Sequence, residues 1–302
     1  VERHGRAATS PAHRVPASTS LPHPKAAIVT RLDVSHLRIE PGEVPTLGHR
    51  EATRSKVGFA DKDAGRAQLA VLQQRIADLQ DALYAEDRRA LLLVLQGMDT
   101  AGKSGTIDRV FPRVHPQGMH VAAFKAPSKR ELDHDYLWRV HAAVPSRGTI
   151  GVFDRSHYED VGVVRVNGWI DDETVQQRFR QINDFERMLA ENGTVVRKCW
   201  LDISPEEQRK ELQERIDEPD KHWKFNFGDL DARARWHDYM TAYAEAMAAT
   251  STAHAPWYRV PGDRRWVSSV VVAQVVVDAL EELAPRIPPP NPELGQVQIP
   301  QV

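Results

Sequence analysis

The chain carries one cysteine, Cys199, in 302 residues. A single thiol closes no intrachain disulfide and leaves no cysteine cluster for zinc. Because Cys199 falls in the strand-like stretch 195–203, it reads as a core residue, with a reactive thiol the distant alternative. Long apolar runs are missing too: no eighteen consecutive apolar residues occur, so no membrane span is expected. The first thirty residues hold basic groups but no continuous apolar stretch, which argues against a secretory signal. Charge of one sign is equally scarce, with 40 Lys and Arg against 42 Asp and Glu and a net charge of −2. Nothing global therefore draws the chain to a polyanion, and any grip on one must come from locally concentrated cations. A cytoplasmic protein with no nucleic-acid and no membrane partner is the expectation. No internal repeat is visible.

What is present is ordinary globular material, 41% hydrophobic and 27% charged. Residues 1–36 are rich in Pro, Ser, Thr, His and Ala without a structural period, which predicts a disordered tail. Residues 288–302 (PPPNPELGQVQIPQV) predict a second, proline-rich tail. Between them, 37–287 reads as one domain, since no linker interrupts it. Leu69, Leu72, Ile76, Leu79 and Leu83 recur at helical spacing. They cover too few heptads for a coiled coil and predict a helix packed on its own domain. Leu91-Leu92-Leu93-Val94-Leu95 is a run suited to a strand covered on both faces. Further strands are expected at 119–124, 149–153, 195–203 and 257–260. Helices are expected at 105–114, 129–142, 172–191, 205–216, 230–250 and 264–283. This alternation predicts an α/β fold with a mainly parallel central sheet flanked by helices.

The sharpest motif is Gly97-Met98-Asp99-Thr100-Ala101-Gly102-Lys103-Ser104, which fits G-x-x-x-x-G-K-[ST] without mismatch. A buried strand leads in and a helical segment leads out, the context a phosphate loop requires. Gly97, Gly102 and Gly105 would let backbone N–H groups turn toward phosphate oxygens, aided by the positive end of the following helix. Lys103 would reach the phosphates beside the transferred bond, and Ser104 would offer its hydroxyl to Mg²⁺. Asp99 is unusual, because a carboxylate in a phosphate cradle repels the ligand unless a cation intervenes. It is either an outward-facing turn residue, or a metal ligand or base for the attacking oxygen.

Ile150-Gly151-Val152-Phe153-Asp154 reads as an apolar strand ending in a carboxylate. In P-loop enzymes such an aspartate meets the Mg²⁺, and that reading is favoured over a helix cap at Asp154. Arg155 is a phosphate contact or a surface residue. His157-Tyr158-Glu159-Asp160 lacks a second histidine at the next turn, so a structural role is preferred there. Ser204-Pro205-Glu206-Glu207 is a helix start: cap, proline at the first position, acidic first turn. That helix and the segment after it (DEPDKHWKF, 217–225) mix cations with aromatics and could close over phosphates, with Arg215, Lys221 and Lys224 in hand. Taken alone, this stretch reads as a solvated helix face with ordinary ion pairing.

Five blocks taken in order resemble the polyphosphate kinase 2 family: GMDTAGKSGT (97–106), FKAPSKRELDHDYLWR (124–139), GVFDRSHYEDVGVVRV (151–166), DEPDKHWKFNFGDL (217–230) and STAHAPWYRVPGDRRW (251–266). The match covers nearly everything except the tails. The resemblance implies a thymidylate-kinase-like P-loop kinase fold with a helical lid at about 204–233. It implies Mg²⁺-dependent phosphate transfer between inorganic polyphosphate and adenine nucleotides (AMP, ADP, ATP). By position, Asp99 and Asp154 match the family's metal-binding or catalytic carboxylates, Lys103 its loop lysine, Arg155 its motif arginine and Lys125 its phosphate-side lysine. Arg215, Lys221 and Lys224 match lid cations that would hold polyphosphate. The S-H-Y-E-D and D-K-H-W-K-F blocks are similar to the class III subgroup, which accepts AMP and ADP. The chain departs from that pattern at Asp154, where many relatives carry Asn, and at Ser104, where many carry Asp or Gly. A homo-oligomer is expected. The rival readings are an ATP-dependent nucleoside monophosphate kinase and a non-catalytic P-loop nucleotide sensor.

Overall fold

The computed structural model describes residues 31–300. The five-residue apolar run lies inside β2 (Ala90–Gln96), every residue of which is buried. Around it lie β1 (Arg38–Ile39), β3 (Met119–Ala123), β4 (Ile150–Asp154), β5 (Thr194–Asp202) and β6 (Trp257–Pro261). The strand order is β1-β6-β5-β2-β4-β3. All pairings are parallel except β1 with β6. Parallel strands need helical crossovers, and these cover both faces, which is why β2 can be buried throughout.

Helices α1 (Arg50–Thr53), α2 (Lys62–Glu86) and α3 (Lys103–Val110) come first in the chain. Next are the short α4 (Lys129–Leu132), α5 (Trp138–Ala142) and α6 (Val163–Val166). Then follow α7 (Asp172–Glu191), α8 (Pro205–Asp217), α9 (Gly228–Ala234), α10 (Trp236–Thr250) and α11 (Arg265–Leu283). The leucine and isoleucine stripe of α2 is buried, and its ends are set by Asp61, which accepts from two first-turn amides, and by left-handed Asp87. From Val267 to Val277 helix α11 is buried all round, because α2 and α3 pack on it from one side and the sheet from the other. Helices α7 and α10 pack together on the molecule as a second layer, with α7 against β5.

Three expectations shift. The helix expected at 129–142 is two, because Asp135 Oδ1 takes the Leu137 amide (3.0 Å) and starts a new turn. The one expected at 230–250 divides at Arg235, whose guanidinium reaches out to Asn167 Oδ1 (2.7 Å). The folded unit also begins before residue 37: Arg31 pairs with Asp278 (2.8 Å), and Val34 and Leu37 are core residues. The rest of the expected N-terminal tail, 1–30, lies outside the described residues. Residues 288–300 are exposed throughout and form one short turn at Pro292–Gln296. Cys199 is fully buried on β5 between Leu95 and Tyr258, and burial pushes its thiol far above the ordinary range. Among the described residues, no helix is long and apolar enough to cross a membrane.

Between β5 and α7 lies a fully buried polar group. Lys198 Nζ donates to Tyr158 Oη (2.9 Å) and Thr250 O (2.8 Å) and pairs with Glu186. The same carboxylate accepts from Tyr158 Oη (2.9 Å) and lies 3.3 Å from His157 Nε2. His157 and Tyr158 thus hold the structural role read for them in the sequence.

Candidate active site

The loop from Gly97 to Gly102 joins β2 to α3 at the centre of the sheet. At Gly97 a Cβ would come within 2.9 Å of both Ala101 Cβ and Leu201 O, so only glycine lets the loop fold back on β5. Gly102 has φ +87°, a conformation that costs glycine little, and it starts α3 directly at Lys103 rather than at 105. Thr100 has φ 68° and Arg155 φ 63°, left-handed backbone on side-chain-bearing residues. Such strain collects where surrounding structure imposes a geometry that function uses.

Lys103 is buried, and its Nζ donates to Gly97 O (2.8 Å) and Met98 O (3.3 Å). Burial lowers its pKa and nearby Arg155 adds to this, against the pull of Asp99 and Asp154. Ser104 Oγ donates to Asp154 Oδ2 at 2.8 Å, because α3's first turn faces the end of β4. Gly105 lies in that same turn. Asp99 lies to the other side of the loop, paired with the Arg155 guanidinium. Arg155 also contacts Glu159 Oε2 (3.2 Å). Burial works against its charge, but Glu159 and Asp99 outweigh that and hold it above its ordinary value. Of the three oxygen donors expected to share a metal, the fold joins Ser104 and Asp154 and gives Asp99 to Arg155. Among the described residues, no three His, Cys, Asp or Glu side chains form a metal-holding group.

Beside the loop opens a cavity of about 980 Å³. Gly97, Asp99 and Arg155 form its inner end, Phe124, Tyr136, Leu132 and Trp169 supply apolar walls, and Lys125, Arg139 and Arg178 supply cations. Lys125 is exposed at this wall, and its carbonyl accepts from Arg139 Nη1 (2.8 Å). Arg139 lies over Phe124, and Arg178 over Tyr136. Asp160 is hemmed in by Arg139 (3.7 Å) and Arg178 (4.0 Å), yet burial still raises its pKa. Flat apolar walls with converging cations suit a planar ring that carries phosphate.

Arg215, Lys221 and Lys224, the cations expected in a lid, do not line this cavity. Arg215 Nη1 contacts Asp229 Oδ2 (3.1 Å) and Lys224 O (2.9 Å). Lys221 pairs with Glu218 (2.7 Å), and Lys224 lies over the Trp223 ring. In this arrangement the three cations are engaged within the lid. What the lid does bring to the cavity is Asp229, which the sequence reading missed. Burial first, and Asp99 second, push this carboxyl up to about 6. Its local partner is Arg215, but the group that ties it to the site, Asp99, lies in the loop more than a hundred residues earlier. Glu159, for which the sequence favours a structural role, lines the cavity and braces Arg155.

The family model for Polyphosphate kinase 2 (PPK2) matches residues 59–287. An AMP/ADP-polyphosphate phosphotransferase of Meiothermus ruber is 49% identical over 230 residues, covering 76% of this chain and 86% of that protein. An ADP-polyphosphate phosphotransferase of Rhodopseudomonas palustris is 40% identical over 274 residues, covering 87% and 94%. The crystal structure of polyphosphate kinase 2 from Arthrobacter aurescens superposes with a TM-score of 0.82 at 42% identity, covering 88% of this chain and 95% of that one. The family match takes in the phosphate loop, the strand ending in Asp154, the lid and α11 together, and the chain belongs to the polyphosphate kinase 2 family.

Proposed function

We propose that this chain is a phosphotransferase that moves phosphate between inorganic polyphosphate and adenine nucleotides. The observation that carries this is the junction of the Lys103 loop with an aromatic, cation-rich cavity; in this reading the donor phosphates lie on the loop and the nucleotide in the cavity. The names of the relatives support polyphosphate as the phosphate chain and adenosine phosphates as its counterpart. Lys103 holds positive charge where the transferred group passes, and the loop amides hold its oxygens. Arg155, clamped by Asp99 and Glu159, faces the same point and orients the nucleotide's terminal phosphate for in-line attack. Ser104 and Asp154 suit Mg²⁺, a hard cation that takes few protein oxygens and completes its shell with phosphate and water. When bound there it would neutralise charge on the bridging phosphate oxygens. One phosphoanhydride is broken as another is made, so the same residues serve both directions.

Incubating the protein with Mg²⁺, long-chain polyphosphate and AMP or ADP should yield the next higher nucleotide. If phosphate reaches AMP from ATP and none from polyphosphate, the nucleoside monophosphate kinase reading replaces this one. Asp154→Asn should move the Mg²⁺ activation curve to higher concentration by roughly ten- to a hundredfold, the scale seen when metal-supporting groups are lost. An unmoved curve would take Asp154 out of the metal site.

For the lid, the proposal is that Arg215, Lys221 and Lys224 exchange their internal partners for polyphosphate. A run of like charges recruits several cations at once, and exposed cations are screened by salt. Replacing Lys221 and Lys224 with Ala should raise the KM for long polyphosphate several-fold, by more than that for ADP, and less for a short oligophosphate. Selective weakening of ADP would reassign the lid to the nucleotide.

A further inference from the structure

One arginine outside the cavity touches more of the phosphate loop than any lid cation does. Arg265, the first residue of α11, donates from Nη1 to Ala101 O (2.7 Å) and from Nη2 to Thr100 O (2.7 Å). Its Nη1 also reaches Gly262 O (3.1 Å), and its Nη2 pairs with Glu211 Oε1 of the lid helix α8 (2.9 Å). The side chain crosses Gly102 so closely that a Cβ there would lie 3.1 Å from Nη1 and 3.2 Å from Cδ. The second glycine of the loop is therefore needed twice, for its φ and for the passage of this guanidinium.

We infer that Arg265 is a positioning residue which sets the shape of the phosphate loop and ties it to the lid helix. Thr100 sits in left-handed backbone, a conformation that must be imposed from outside. Two carbonyls of consecutive residues, each taken by one nitrogen of a planar fork, impose it, because the fork fixes their mutual orientation. The anchor is itself rigid. Asp263, two residues earlier, accepts from Ser204 N (2.7 Å), Ser204 Oγ (2.8 Å) and Thr53 Oγ1 (3.0 Å), so the start of α11 and the N-cap of α8 are fastened together. Helix α8 reaches the loop a second time through Gln208 Nε2 and Asp99 O (3.4 Å). Movement of the lid helix is thereby felt at Thr100 and Ala101, three and two residues before Lys103.

The inference rests on the loop being the seat of the transferred phosphate, and its test separates the two. In Arg265→Lys, one ammonium cannot span both carbonyls and Glu211. Hydrogen exchange at residues 98–105, measured without substrate, should speed up. The kcat should fall by roughly ten- to a hundredfold, the scale of a small misplacement at a reacting centre, with the KM for nucleotide within about twofold of wild type. In Glu211→Ala, exchange should speed up in α8 while residues 98–105 keep their protection, and the KM for polyphosphate should rise. Wild-type exchange at 98–105 in Arg265→Lys, or faster exchange there with undiminished kcat, would overturn the positioning role. Unaltered exchange in α8 of Glu211→Ala would overturn the tie to the lid. Neither exchange result depends on what the loop binds; that is tested by Lys103→Ala.

Discussion

Lys103→Ala should turn over about a hundred- to a thousandfold more slowly than the wild-type chain, as expected when one preorganised group at the developing charge is lost. The fold should survive. Met98 O also accepts from Ala101 N (3.0 Å), so the truncation strands chiefly Gly97 O, at the loop edge where water can replace the ammonium. Burial and Arg155 both press on this ammonium, against the pull of Asp99 and Asp154. The measurement is a single-turnover rate with polyphosphate and ADP beside a thermal melt. Near-normal turnover with an unchanged melt would remove the loop from the chemistry.

A second large effect is expected far from substrate. Glu186→Gln should destabilise the fold by about 3–5 kcal/mol, because it leaves Lys198 buried without its counter-charge. For a chain of this size that is a fall in Tm of roughly 5–10 °C. Burial lowers the Lys198 pKa; for Glu186 burial pulls the other way, but Lys198 and then His157 hold the carboxylate below its usual range. Lys198 and Glu186 are each other's counter-charge, so each depends on the other. Replacing both together, Glu186→Leu with Lys198→Met, should recover most of the loss, since an apolar pair owes no desolvation. A single mutant as stable as wild type would show the charge to be solvated or already neutral. Tyr158 and His157 belong to this group, so the turn carrying Glu159 and Asp160 should loosen with it.

The sheet was legible because parallel strands buried on both faces must be continuous apolar runs, as 91–95 is. Helix α7 matches its expected span residue for residue, with Asp171 capping Thr174 N (2.8 Å). Boundaries failed where a side chain took over a backbone donor, as at Asp135, or where an arginine left the helix for a distant partner, as at Arg235. Within the site, Lys103, Ser104 and Asp154 could be found because the strand–loop–helix order fixes their meeting. Arg265 could not: it contacts Thr100 across 165 positions, and no spacing encodes that. The nearness of Asp229 to Asp99, across 130 positions, was hidden for the same reason. The lid cations were named through resemblance, and their local sequence already offered the acidic partners, Glu218 and Asp229, that hold two of them here.

The burial of Cys199 has a practical consequence. Its sulfur lies in the middle strand layer with a thiol that stays protonated, so a thiol-directed reagent has nothing to attack while the sheet is closed. Labelling then proceeds no faster than the chain exposes β5, and the chain's one thiol clocks its opening. Inactivation by such a reagent would mark molecules caught open. A ligand that binds the folded chain and not the opened one should slow the clock in proportion to its affinity.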